Sequence, residues 1–124
     1  MSSKTSGRKE RLPHAYDFQV VESAAQKCVQ DAIVSVLGNE TYSAAQAQKQ
    51  VDTINRSILV SLNGLTGNFK WIVTTLISQM GETGTNGLQI DNSAMWDPNT
   101  DGCFVLEWNN RNMQVTVSLS GLAL

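Results

Sequence analysis

Histidine is almost missing from this sequence: His14 is the only one in 124 residues. Nucleophilic catalysis by serine or cysteine needs a positioned base, and a lone histidine near the start of a chain reads as a solvent-exposed tail residue. Cysteine is scarce too. Cys28 and Cys103 stand far apart and match no metal-ligand spacing, so they read as reduced, buried thiols of a cytosolic protein. No apolar run reaches the roughly 20 residues of a membrane span. The first residues are polar and basic, unlike a secretory signal. On that reading the sequons Asn39-Glu40-Thr41 and Asn55-Arg56-Ser57 are unused. Two prolines and 41% hydrophobic residues fit one globular domain with a modest core rather than a disordered chain.

Charge is small in total and uneven in place. Lys4, Arg8, Lys9 and Arg11 against Glu10 give the first eleven residues a local +3, which leaves −5 on the remainder of a chain whose net charge is −2. Residues 1–14 therefore read as a disordered basic arm and residues 15–124 as the folded domain. An acidic folded part argues against a nucleic-acid groove.

Two helices come first. Val21, Ala24, Ala25, Cys28, Ala32 and Val36, with Val29 and Ile33, recur at three- and four-residue steps and predict a helix over 18–37. Gln26, Lys27, Gln30 and Asp31 fill its other side. Gly38-Asn39 ends it, because both residues tolerate a positive φ. A second helix starts at Ser43, where Ser43 and Gln46 spell a capping box. Its stripe is Ala47, Val51, Ile54, Ile58, Leu59, Leu62 and Leu65, closed by Gly64 and Gly67.

Strands follow. Residues 69–80, FKWIVTTLISQM, are rich in β-branched and aromatic types. Phe69, Trp71, Val73 and Ile77 share one face, and Ile72, Leu76 and Met80 the other, so both faces ask for a cover. The helices supply one. A Gly-rich loop, 81–87, leads to a strand over 88–96, LQIDNSAMW, which reads as an edge or exchanged strand. The turn Asp97-Pro98-Asn99-Thr100-Asp101-Gly102 precedes a hairpin of strands 103–109 and 113–119. In it, Pro fixes one φ and Gly tolerates a positive one. Met113, Val115, Val117 and Leu119 alternate with Gln114, Thr116, Ser118 and Ser120, the period of a strand buried on one face. The class is α+β: two N-terminal helices packed on a four-stranded antiparallel sheet, completed by another chain in a strand-exchanged dimer.

Candidate chemistry is thin. Asp91, Asp97, Asp101 and Glu107 are the carboxylates from which a hydrolase or metal site would be built. Asp97 and Asp101, however, sit where aspartate caps the amides of a turn. Counted from Asp97, the twelfth position of a calcium loop is Trp108, where a bidentate glutamate is required. The loop 81–87 has glycines but no phosphate-loop signature. Trp71, Trp96 and Trp108 all fall on predicted strands and read as packing residues rather than a stacking platform for nucleic acid. No enzyme, cofactor or metal is expected. What remains is an interaction module that captures an extended peptide at a strand edge.

One family carries these residues in this order. Phe69-Lys70-Trp71-Ile72-Val73-Thr74, Gln79, Trp96-Asp97, Thr100-Asp101-Gly102, Trp108 with Asn110 and Met113, Val117-Ser118 and Gly121-Leu122 together resemble the Tctex-type dynein light chains. Phe18-Gln19-Val20-Val21, Gly38-Asn39 and Tyr42 are similar to that family's N-terminal half. The resemblance covers residues 18–124. Three features depart from the family: Gln50 where tryptophan is common, Asn68 where proline often precedes the first strand, and a longer loop over 80–87.

The resemblance implies a homodimer, or a heterodimer with another Tctex-type light chain, that exchanges one strand. It implies no catalysis and no cofactor. It implies binding of an extended segment of the dynein intermediate chain at the dimer interface, with no nucleic-acid or membrane partner. By that analogy Leu88, Gln89, Ile90, Asp91, Asn92, Ser93 and Ala94 form the exchanged strand and peptide-facing edge, with Asp91 meeting basic residues of the bound segment. The place of work is then the cytoplasm and cytoskeleton, or a ciliary or flagellar axoneme, in support of microtubule-based movement. The other function the same groove supports is a dynein-independent dimeric adaptor for cargo or signalling peptides.

Overall fold

The computed structural model of the chain describes residues 14–80, 97 and 99–124. The first helix, α1, spans Phe18–Leu37, the range its apolar steps predict. Ala25, Val29, Ala32, Ile33 and Leu37 are buried along it, whereas Ala24 faces solvent. Asp17 precedes α1 in extended geometry, and its carboxylate accepts the His14 amide at 2.9 Å. Gly38 ends α1 with φ 41°, its amide bonded to the Val34 carbonyl at 3.0 Å. That positive φ is the reason for glycine here.

The second helix, α2, spans Ala44–Leu65 and buries Ile54, Ile58 and Leu62. Ser43 stands at its N-cap in extended geometry, but the predicted capping box does not form: no side-chain cap bond is made. Instead the Gln46 amide donates to the Ser43 carbonyl at 3.0 Å. The helix stops at Leu65. The Thr66 amide reaches back to the Leu62 carbonyl, and the Thr66 hydroxyl accepts the Asn68 amide at 3.1 Å. Leu65, the last of the predicted stripe, is exposed.

Three antiparallel strands follow: β1, Phe69–Gln79; β2, Gly102–Asn109; and β3, Met113–Ala123. The order is β1-β3-β2. In register, Val73 pairs Leu119 and Ile77 pairs Val115 on one side of β3, while Phe104 pairs Leu119 and Trp108 pairs Val115 on the other. Met80 lies just past β1, in a turn. β3 runs four residues beyond its predicted end, because Ser120, Gly121, Leu122 and Ala123 all find partners on β1. The strand predicted over 88–96 and the loop before it lie outside the described residues.

Both helices pack on the same face of the sheet, α2 over β1 and α1 over β2 and β3. The core sits between them. Met113, Val115, Val117 and Leu119 of β3 are completely buried against Val29, Ile33, Leu37, Ile54, Ile58 and Leu62. Each such side chain contributes about 1.5–3 kcal/mol relative to exposure. One polar contact crosses this layer: the Thr75 hydroxyl donates to Asn55 Oδ1 at 2.6 Å.

At one end of the sheet the Phe18 ring wedges between the strands. It packs 6.3 Å from Phe69, 6.2 Å from Trp71 and 6.2 Å from Phe104, centroid to centroid. Gly102 and Gly121 are register partners beneath it. A Cβ on Gly102 would collide with the Phe18 ring, and one on Gly121 would lie 2.7 Å from Trp71. Gly102 is therefore a strand glycine that makes room for a ring. It does not serve the positive φ expected of it, and among the described residues only Gly38 has one.

Candidate partner-binding surface

Leu88, Gln89, Ile90, Asp91, Asn92, Ser93 and Ala94, the residues the sequence puts forward for strand exchange and peptide capture, lie outside the described residues. The structure describes the two stems of that segment. At its start the Met80 amide donates to the Asn112 carbonyl at 2.9 Å, tying the end of β1 to the β2–β3 turn. At its end Asp97 and Asp101 build a closed turn. The Asp97 amide donates to Asp101 Oδ2 at 2.9 Å, the Asn99 amide to Asp97 Oδ1 at 2.9 Å, and the Asp101 amide to the Asp97 carbonyl at 2.9 Å.

These bonds decide what the two aspartates do. Both carboxylates are spent on backbone amides, as the turn reading expects. Asp101 also receives the Ala123 amide at 2.8 Å and the Thr100 hydroxyl at 3.1 Å. Burial alone would push its carboxyl up. The hydrogen bonds from Ala123, Asp97 and Thr100 outweigh it and hold the carboxyl below its ordinary value. Among the described residues no group of three or more His, Cys, Asp or Glu side chains converges as a metal site would require.

A second lock sits at the other end of the sheet. Asn110 Nδ2 donates to the Gly38 carbonyl at 2.9 Å and the Glu40 carbonyl at 3.1 Å, and its Oδ1 accepts the Asn112 and Met113 amides at 2.7 and 2.9 Å. One side chain thus joins the end of α1 to the β2–β3 turn. The sequence reading placed Asn110 in the turn and among the residues of the family resemblance, without assigning it this contact. Its partners Gly38 and Glu40 lie 72 and 70 positions away, and no local pattern announces them.

The sheet face turned away from the helices is open. Ile72, Leu76, Met80 and Val105 are 51%, 43%, 41% and 42% exposed. On β3, between Ile72 and Leu76 on one side and Val105 on the other, Thr116, Ser118 and Ser120 alternate on this face, Thr116 and Ser120 half-buried and Ser118 buried. The face therefore carries exposed apolar side chains on both outer strands, beside exposed Thr74 on β1 and Glu107 on β2, around a spine of hydroxyls. It is the second face of β1 that the sequence shows without a cover. No helix among the described residues is long and apolar enough to cross a membrane.

The remaining candidate residues have structural surroundings. Trp71 and Trp108 are half-buried and pack against the helix-side core. Among the described residues the buried Trp71 indole N–H has no acceptor. Cys28 and Cys103 are free thiols, and both are half-buried rather than buried as predicted. Cys28 fills a helix position at the margin of the core, and Cys103 stands on an outer strand of the sheet. Burial pushes each thiol up, with Asp31 adding to the effect at Cys28 and Glu22 at Cys103. Protonated thiols of this kind are poor nucleophiles.

Comparison with known proteins bears on this geometry. A family model described as the Tctex-1 family matches residues 19–122. The "Dynein light chain Tctex-type" of Drosophila melanogaster is 27% identical over 108 residues, 87% of this chain and 95% of that protein. The "Dynein light chain Tctex-type 3" of Canis lupus familiaris is 29% identical over 100 residues, 81% of this chain and 84% of that protein. The human "Dynein light chain Tctex-type 3" is 28% identical over the same shares.

Proposed function

The chain belongs to the Tctex-1 family, and on that premise we propose that it is a non-catalytic light chain of a dynein motor complex, cytoplasmic or axonemal. In this reading it dimerises and holds an extended segment of the dynein intermediate chain, supporting motor assembly. The observation that carries the reading is the family match, which spans both helices and every described strand. The names of the relatives, dynein light chains of the Tctex type, point to the same class.

The physical form of the molecule supports association. Its core is closed on the helix side, so the domain needs no partner there. The apolar margins Ile72, Leu76, Met80 and Val105 remain on the other side, and a second copy or a related light chain covers them in the proposed dimer. Leu88 to Ala94 then serve as the exchanged strand against which the intermediate-chain segment aligns by main-chain hydrogen bonds. Asp91 attracts basic residues of that segment. The site of action is the cytoskeleton.

Light scattering on the purified chain, followed by titration of an intermediate-chain peptide into the same sample, tests this. The expected result is a dimer that takes one peptide per groove. A stable monomer that binds no peptide overturns the reading. Recovery only in the pool free of dynein heavy chain would turn it to the adaptor function.

A further inference from the structure

The two edges of the sheet differ in charge. Among the described residues β1 and β2 are the end strands, with β3 between them. The hairpin fixes which backbone groups of β2 are free. The Asn110 amide donates to the Met113 carbonyl, and Asn110 follows β2 directly. Backbone groups alternate in direction along a strand, so those of Gly102, Phe104, Leu106 and Trp108 address β3. Those of Cys103, Val105, Glu107 and Asn109 point outward. The Met80 amide on the Asn112 carbonyl gives β3 the same phase from its β1 side.

Little in β2 guards that outward row. Native edges are blunted by lysine, proline, bulges or short length. β2 has eight residues without lysine or proline, and it pairs with β3 from Gly102 to Asn109 without a bulge. Its one charge is Glu107, on the sheet face turned away from the helices. A second carboxylate stands by the same edge on the helix side. The Phe18 ring lies against Gly102, and Glu22 is one turn further along that side of α1. Burial raises the Cys103 thiol, and Glu22 adds to that rise. The cations stand elsewhere. Lys27 is held by Asp31 at 3.2 Å, Arg111 sits in the turn past the end of β2, and Lys49, Arg56 and Lys70 belong to α2 and β1.

We propose that the outer edge of β2 takes an extended, lysine- or arginine-bearing segment of a partner protein as an added strand. Main-chain hydrogen bonds to Cys103, Val105, Glu107 and Asn109 hold it. The side chains of an added strand point alternately to the two faces of the sheet, and one carboxylate serves each: Glu107 on the open face, Glu22 on the helix face. A second copy of this chain is the poorer occupant, because β2 against β2 sets like charges together. The edge of β1, with Lys70 on it and the cations of α2 above, does not suit a basic segment and stays available to the exchanged strand of the proposed dimer. The proposal does not rest on the light-chain reading; it adds a second strand-capturing edge to it.

Hydrogen exchange followed residue by residue on the full chain tests it. The probe is a peptide of about eight residues repeating Thr-Val-Lys-Lys, which sets lysine on both faces of an extended strand. In the free chain the amides of Cys103, Val105, Glu107 and Asn109 are expected to exchange rapidly. The peptide is expected to slow them about tenfold or more and to leave Phe104, Leu106 and Trp108 as they were. Protection confined to residues 88–94, no protection, or four amides already protected before peptide is added overturns the proposal. Val105→Pro removes an outward donor and keeps every bond to β3, so it is expected to weaken binding at least about fivefold. A peptide N-methylated throughout makes the same test on the unaltered chain, and equal binding by it overturns main-chain capture. Glu22→Gln with Glu107→Gln is expected to weaken binding several-fold at about 10 mM salt and much less near 1 M. Unchanged affinity, or equal binding of a peptide with glutamate in place of lysine, overturns the choice of a basic partner.

Discussion

The two faces of the sheet share one backbone and differ in what covers them. On the helix side β3 presents Met113, Val115, Val117 and Leu119, all inaccessible to solvent. On the other side it presents Gln114, Thr116, Ser118 and Ser120, with exposed Ile72, Leu76 and Val105 to either side. The first face holds the fold together. The second contributes little to the isolated chain and is the one available for association. Each face therefore answers a different experiment.

The comparison breaks hardest at the closed face. Leu119→Ala is expected to cost about 3–4 kcal/mol, because a fully buried side chain leaves a cavity that the facing helices fill only in part; denaturant unfolding measures it. Gly121→Ala comes next, at about 1–3 kcal/mol, since the new methyl group drives Trp71 and Phe18 apart. A smaller loss for Gly121→Ala paired with Phe18→Leu would identify the ring as the cause.

Asn110→Ala tests the lock between the helix layer and the hairpin. It strands two carbonyls and two amides, and a loss of about 1–3 kcal/mol is expected. Accelerated hydrogen exchange at Asn112 and Met113 should accompany it. On the open face the expectation reverses. Ile72→Ser with Leu76→Ser should change unfolding of the isolated chain by less than about 1 kcal/mol, yet abolish the proposed dimer in light scattering. If both properties fall together, the two faces are not independent.

The smallest effect is the pH dependence of Asp101. Its carboxyl lies below its ordinary value in the folded chain. The ionised form therefore contributes stability that is present above the ordinary aspartate range, near pH 4, and is lost as pH falls through the folded value. Urea midpoints between about pH 5 and 2 should fall less steeply in Asp101→Asn than in the natural chain.

Much of this was legible in the residues. The helix over 18–37 follows from three- and four-residue apolar steps with a glycine at their end. The alternation from Met113 to Leu119 follows from a period of two. Both patterns are local, and helices and strands read them directly. The two apolar faces of β1 were equally visible, and one of them is indeed without a cover among the described residues. The capping box was a misreading of the same local kind: Ser43 caps by position, while the backbone carbonyl rather than the hydroxyl takes the Gln46 amide.

Residue type and period, then, determined the described helices and strands, their order and the buried side of β3. Tertiary structure alone decided three further things. It placed Phe18 over Gly102 and Gly121, joined Asn110 to Gly38 and Glu40, and tied Ala15 to Asn68 and Phe18 to Thr100. The physical reason is separation along the chain. Each of these contacts links residues some 50 to 100 positions apart, and such pairs meet only when helices and sheet have docked, which no local periodicity records.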